Sequence, residues 1–206
     1  VYLIKHIRDK YISDIRTANL VMLKMIHDGW YSGDFSRESL LMILESEILV
    51  KNEDPYIREI TSSLTEKLKF LSTGTTAPVI CLKDTDGNRQ CSNSDKEKFK
   101  YVIFADDEMV VCREHLKYLP VIVEKFGKYL EIILVMRKTD LIEMKMFLDK
   151  NRIPGIKLVD NNGEFTRKFG VKSFPSCYLF DKNHRIAMES VKSPLDGFEQ
   201  QFGRFL

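Results

Sequence analysis

"YVIFADDEMVVCREHLKYLP", residues 101–120, reads as an apolar strand, a short acidic turn, and a helix with a cysteine in its first turn. The run from Tyr101 to Ala105 holds no charge, as a strand covered on both faces requires. Working outward, the same alternation continues on both sides. Downstream, "EIILVMR" is a strand and "DLIEMKMFLDKN" a helix; "GIKLV" is a short strand and "GEFTRKFG" a short helix. "PSCYLF" and "RIAMES" are strands joined by "DKNH", and Ser193 with Pro194 is placed to cap a last helix over "LDGFEQQFGRF". Pro120 is expected to kink the helix that carries the cysteine. Upstream, "VICLKDTDGNRQCS" has a D-x-D-G turn between two short segments, the signature of a hairpin. Strands alternating with helices point to an α/β layer fold.

Residues before "STGTTAP" have a different texture. Ile4, Ile7, Tyr11, Ile15 and Ala18 recur at helical spacing, and Met22, Met25 and Ile26 extend the face. "DGWYSGDFS" interrupts it. Ser36 is the expected N-cap of a second helix over "RESLLMILESEI". Asp54 and Pro55 open a third, whose buried face holds Ile57, Ile60, Leu64, Leu68 and Leu71. The expected division is therefore a helical N-terminal region over residues 1–72 and an α/β domain over 73–206.

Composition narrows the function classes. The 206 residues carry 30% charged side chains but a net charge of only +2, without the basic excess of a nucleic-acid binder. No apolar run reaches the length of a membrane span. The chain begins at Val1, inside an apolar pattern, so the expected relation to a membrane is a missing N-terminal anchor. No Gly-rich phosphate loop, G-x-S-x-G or H-E-x-x-H occurs, and no cofactor is implied. The cysteines are Cys81, Cys91, Cys112 and Cys177, with no C-x-x-C pair; no two cysteines or histidines except Cys112 and His115 sit at zinc-ligand spacing, so no metal is expected.

In element order and motifs, the stretch from Gly74 to the end resembles the TlpA/ResA-type extracytoplasmic thiol-disulfide oxidoreductases of the thioredoxin fold, a central mixed sheet flanked by helices. "GTTAPVICLKDTDGNRQCS" is similar to that family's entry segment and hairpin. "FGVKSFPSCYLFDKNHRI" is similar to its cis-proline loop and the strand that follows, which puts Pro175, preceded by Phe174, at the cis-proline position. Where the family carries F-W-A-x-W-C-x-x-C, this chain has "FADDEMVVC": Met109 stands at the first cysteine and only the second is kept, as Cys112. The resemblance implies a bacterial envelope or periplasmic location, with envelope proteins or peptides as partners.

Chemistry at that segment needs a thiolate at the helix N-terminus, where the dipole and free N–H groups lower its pKa, and a second thiol that resolves the mixed disulfide. Met109 can do neither. Asp106, Asp107 and Glu108 oppose a thiolate nearby. Ile103 occupies the place where thioredoxins often hold a buried acid. Cys112 is read chiefly as a small buried hydrophobe, with a single working thiol as the other reading. His115, one turn on, is read as a surface histidine, or as the activating partner of Cys112. Cys81 and Cys91 lie opposite each other if the hairpin loop is Thr85–Asp86–Gly87, and slip apart if it is one residue shorter or longer. Cys177 falls on a strand beside the one leading to Cys112. Met136, Met144, Met146, Phe126, Phe165, Phe169 and Phe174 are expected in the core. A divergent member lacking dithiol exchange follows, or else a binding module that uses the groove of Met109, Val110, Phe174 and Pro175 for peptides, with the three acids favouring basic partners.

Overall fold

The structure is a computed structural model and describes residues 6, 10–32, 35–93, 97–137 and 140–206. Ile4 and Ile7 of the expected first helical face lie outside the described residues. The chain divides into two compact units, Val1–Phe70 and Leu71–Leu206.

The first unit is helical: α1 (Ile15–Ser32), α2 (Arg37–Leu44), α3 (Glu47–Val50) and α4 (Pro55–Lys69). The Asp54 carboxylate accepts the Tyr56 N–H at 2.9 Å, and Pro55 fills the first turn, where its missing N–H costs nothing. Ser36 accepts the Ser39 N–H at 3.2 Å. The single helix expected over residues 37–48 is instead broken at Glu45 and Ser46. The Ser46 hydroxyl donates to the Ile43 carbonyl at 2.6 Å, offering the backbone a local partner in place of the next helical turn. Met22, Ile26, Leu40, Ile43, Leu44, Leu49, Ile57 and Leu68 form the unit's core. Tyr11 and Ile15, placed on the buried face by periodicity, are exposed; the helical run is interrupted at residues 12–14, between Tyr11 and α1, so the expected face is not continuous.

The second unit has a five-stranded sheet built from β3 (Phe99–Ala105), β4 (Leu130–Arg137), β5 (Ile156–Asp160), β6 (Ser176–Phe180) and β7 (Ile186–Val191), preceded by a hairpin of β1 (Cys81–Lys83) and β2 (Arg89–Cys91). The sheet order is β5-β4-β3-β6-β7. β3, β4 and β5 are parallel; β6 runs antiparallel to β3, and β7 antiparallel to β6. Alternation along β3 sends Tyr101, Ile103 and Ala105 to one face and Val102 and Phe104 to the other. Each set joins a separate apolar cluster. Both faces are covered, which is why Tyr101–Ala105 of β3 and Ile132–Met136 of β4 read as unbroken apolar runs. This is the α/β thioredoxin-like fold with a mixed central sheet.

The helices are α5 (Val110–Lys117), α6 (Leu119–Phe126), α7 (Leu141–Lys150), α8 (Glu164–Lys168) and α9 (Phe198–Phe205). Where one kinked helix was expected, α5 and α6 are distinct, divided at Tyr118, and Pro120 sits in the first turn of α6, where a proline needs no N–H partner. Ser193 and Pro194 open a 3-10 turn (Pro194–Asp196) rather than the last helix, and Gly197, at φ +103°, separates the two. Met136, Met144, Phe126, Phe165 and Phe169 are buried and Phe174 is partly buried. Met146 is not in the core. It lies about 200° around α7 from Met144, while Leu148, four residues on from Met144, shares the buried face.

Candidate functional site

The carboxyl end of β3 leads through Asp106, Asp107 and Glu108 into α5. Met109 is the N-cap of α5, with extended backbone and no side-chain cap hydrogen bond. Its side chain is 40% exposed, and Val110 and Val111 beside it are more so. The loop ending in the cis Phe174–Pro175 peptide enters β6 at Ser176, which pairs with Phe104. Both the helix start and the proline loop therefore lie at one end of the sheet.

The acidic turn is not a solvated charge cluster. Asp106 and Asp107 are buried. The Asp106 carboxylate accepts the Glu108 N–H at 3.0 Å and pairs with Arg137, the last residue of β4, at 3.3 Å. The Met109 N–H donates to the Asp106 carbonyl at 3.2 Å. Arg113 donates to the Asp107 carbonyl and lies over the Phe147 ring, 5.3 Å from its centroid. Only Glu108 of the three faces solvent, so two of the acids expected to draw basic partners are turned into the protein, where the Glu108 N–H and the Arg137 cation satisfy the Asp106 carboxylate.

Cys112 is fully buried. Burial pushes its thiol above the ordinary value, and the Asp106 and Asp107 charges push the same way; a hydrogen bond with the Asp106 backbone acts in opposition. His115 is buried too, not on the surface. Its Nδ1 accepts the Leu195 N–H at 3.1 Å, and its Nε2 lies 3.9 Å from the Asp196 carboxylate. The ring thus ties α5 to the 3-10 turn, 80 residues later in the chain. Among the described residues no hydrogen bond joins His115 to Cys112.

Cys177 is a second free thiol. It pairs in register with Ile103, on the strand that leads to Cys112. Burial pushes it up to about 12, although bonds with the Tyr101 and Ser193 side chains pull the other way. Tyr101 donates to the Lys192 carbonyl at 2.7 Å, lies 3.4 Å from the Cys177 sulfur, and stacks on Phe198 at 3.6 Å. Nothing in the apolar pattern sets this tyrosine apart. A phenol at the start of the otherwise apolar run Tyr101–Ala105 is the one available signal, since a buried hydroxyl needs a partner.

Cys81 and Cys91 form a disulfide, with Cα atoms 4.2 Å apart. The hairpin register pairs Cys81 with Cys91 and Lys83 with Arg89. Asp84 accepts the Gly87 N–H on its carbonyl at 3.1 Å and donates its own N–H to Asn88, so the loop is Thr85–Asp86–Gly87. Among the described residues, no cluster of three or more His, Cys, Asp or Glu is arranged to hold a metal ion. Nor is any described helix long and apolar enough to cross a membrane.

The site thus presents an apolar helix start over a shielded thiol, with no second thiol exposed next to it. The sequence model of one family, the AhpC/TSA family, matches residues 73–188. Among solved structures, the chain is similar to the thioredoxin domain of a thiol-disulfide oxidoreductase from Bacteroides vulgatus, at 19% identity and a TM-score of 0.57, over 66% of this chain and 99% of that one. It is similar to a thiol:disulfide interchange protein from Bacteroides sp., at 20% identity and a TM-score of 0.56, over 64% and 89%. It is also similar to a secreted Mycobacterium tuberculosis disulfide oxidoreductase homologous to Escherichia coli DsbE, at 14% identity and a TM-score of 0.50, over 61% and 93%. These likenesses are of fold. No curated protein matches the sequence.

Proposed function

The chain belongs to the AhpC/TSA family, and from that premise we propose that it is a thioredoxin-fold relative of the thiol-disulfide oxidoreductases whose helix-end site no longer performs dithiol exchange. The observation that carries this reading is Met109 at the N-cap of α5, the exposed place where an attacking thiolate would sit. Met109 has no proton to lose and no disulfide to form. Cys112 is in the protein interior, and its raised pKa keeps it a thiol at neutral pH. His115 is held by Leu195 and is not set as its base. An extracytoplasmic location agrees with the Cys81–Cys91 disulfide, since such bonds persist in oxidising compartments. The test is insulin reduction with dithiothreitol as electron source. The wild-type chain should match the uncatalysed rate, and turnover that disappears in Cys112→Ser would refute the reading.

A second reading is a peptide-binding module at the same end of the sheet. Exposed Met109, Val110 and Val111 favour it, because apolar side chains left bare at a helix start are available for contact, and methionine adapts to varied shapes. Envelope proteins captured by the immobilised chain should be released by Phe174→Asp and kept by Cys112→Ser. Equal capture by both variants and wild type would place binding elsewhere.

A further inference from the structure

We propose that the Cys81–Cys91 disulfide is itself an exchange site, taking electrons from anionic thiols through a basic cavity on the hairpin. The register puts Cys81, Lys83, Arg89 and Cys91 on one face of the hairpin, since residues two apart share a face. Leu82, on the opposite face, packs against the core. The disulfide face therefore points away from it. Both cysteines are only partly buried, and Lys83 and Arg89 are exposed. Cys81, Lys83 and Arg89 line a cavity of about 300 Å³ together with Asn161, Asn162 and Glu164.

The charges there are arranged for a negative visitor. Lys83 and Arg89 face each other across the two strands, two register steps from the disulfide and on the same face. Among the described residues neither has a carboxylate within ion-pair distance. Asp160 also borders the cavity, but it is buried, and its carboxylate accepts the N–H of Phe165 at 3.4 Å and both the N–H and hydroxyl of Thr166, at 2.8 and 2.7 Å. Glu164 is the remaining negative group. Two cations beside a disulfide raise the local concentration of an anionic thiolate and stabilise the thiolate that leaves.

The step balances as ordinary exchange. An external thiolate attacks the Cys81 sulfur, the Cys81–Cys91 bond breaks, and Cys91 departs as a thiolate beside the two cations. A second equivalent of the thiol attacks the mixed disulfide, releasing the oxidised external disulfide and the Cys81 thiolate. Two electrons reach the protein, and both thiolates take up protons from water. The hairpin keeps its shape through this. Ser92 donates its N–H to the Ile80 carbonyl at 2.8 Å and accepts the Ile80 N–H on its hydroxyl at 3.0 Å, and Asp86 is paired with Lys145.

The test compares 3-mercaptopropionate, which is anionic, with 2-mercaptoethanol, which is neutral. Each reduces the folded, full chain at neutral pH and low ionic strength, with free thiols trapped by maleimide and read by peptide mass. Rates are normalised to thiolate concentration. The anionic thiol should be faster by about fivefold, as two cations at several ångströms in water allow. That advantage should collapse in molar salt, where the screening length is about 3 Å. Lys83→Gln with Arg89→Gln should remove it at low salt, and Glu164→Gln should increase it. The variants alter exposed side chains, so circular dichroism should match wild type. A ratio of one that neither salt nor the variants change overturns the proposal. So does a bond that both thiols reduce only after denaturation, and so do free Cys81 and Cys91 thiols in the protein before any reductant is added.

Discussion

Met109→Cys should reduce insulin with dithiothreitol on the order of tenfold or more faster than the wild-type chain, which stays at the uncatalysed rate. The substituted position is the N-cap of α5, exposed, with no side-chain hydrogen bond to lose. A thiol there meets the free N–H groups of the first turn and the positive end of the helix, both of which favour the thiolate. Three residues on, Cys112 already has what a resolving thiol needs. It is shielded from solvent, and its pKa lies above the ordinary value, chiefly through burial. For an acid, an upward shift means the protonated form is kept as pH rises past the usual midpoint. Cys112 therefore stays protonated at neutral pH while the introduced thiol ionises. Iodoacetamide labelling should separate them, with a midpoint below about 8.5 for the introduced thiol and above it for Cys112. Two features limit the gain. The Asp106 and Asp107 carboxylates oppose any nearby thiolate, and Ile103, buried and apolar, cannot relay a proton to the second step. Adding Cys112→Ser should abolish turnover while leaving the low labelling midpoint. A Met109→Cys protein that is folded, labels at the low midpoint and still does not turn over would mean that more than the nucleophile separates this site from an exchange site.

Local patterns carried most of what was legible in the sequence. The apolar run of Tyr101 to Ala105 needs cover on both faces, and cover on both faces is what two separate clusters provide. The three-residue loop at Thr85–Asp86–Gly87 sets the partner of every residue in the hairpin, and Cys81 opposite Cys91 follows from it. Asp54 with Pro55 and Ser36 announce helix starts because capping is a contact between near neighbours. What escaped depends on residues far apart in the chain. Asp106 is buried because Arg137 arrives from the end of β4, and His115 because Leu195 arrives from the 3-10 turn. Nothing within "ADDEMVVCREH" announces either partner. Proline and serine breaks fall between these cases. Pro120 announces a disturbance, but whether it kinks one helix or starts another is decided by the packing of Leu116, Leu119 and Ile122 in the shared core.

Gly155→Ala should cost the α/β unit about 2–6 kcal/mol, from two independent causes. Gly155 has φ +96°, a conformation that side chains with a Cβ rarely adopt, worth about 1–3 kcal/mol of strain. It also precedes β5 in the register where Ile156 pairs with Ile133, so its neighbour across the sheet is Ile132. A Cβ built there would stand 2.4 Å from the Ile132 carbonyl oxygen and 2.8 Å from its Cβ. The nearest atoms belong to the backbone and Cβ of a sheet strand, so no flexible side chain can swing aside. β5 must draw away from β4, and overpacking of this kind adds roughly 1–3 kcal/mol. Gly87→Ala is the control: at φ +87° and with nothing within 4 Å, it carries strain alone and should cost about 1–2 kcal/mol. The single tryptophan, Trp30, lies in the core of the helical unit. The measurement is native-state hydrogen exchange at β3 and β4 amides, whose protection tracks the opening of the α/β unit. Protection should fall most in Gly155→Ala and only slightly in Gly87→Ala. Equal losses in the two variants would mean that β5 yields freely at its entry and that the close approach to Ile132 does not hold that edge of the sheet.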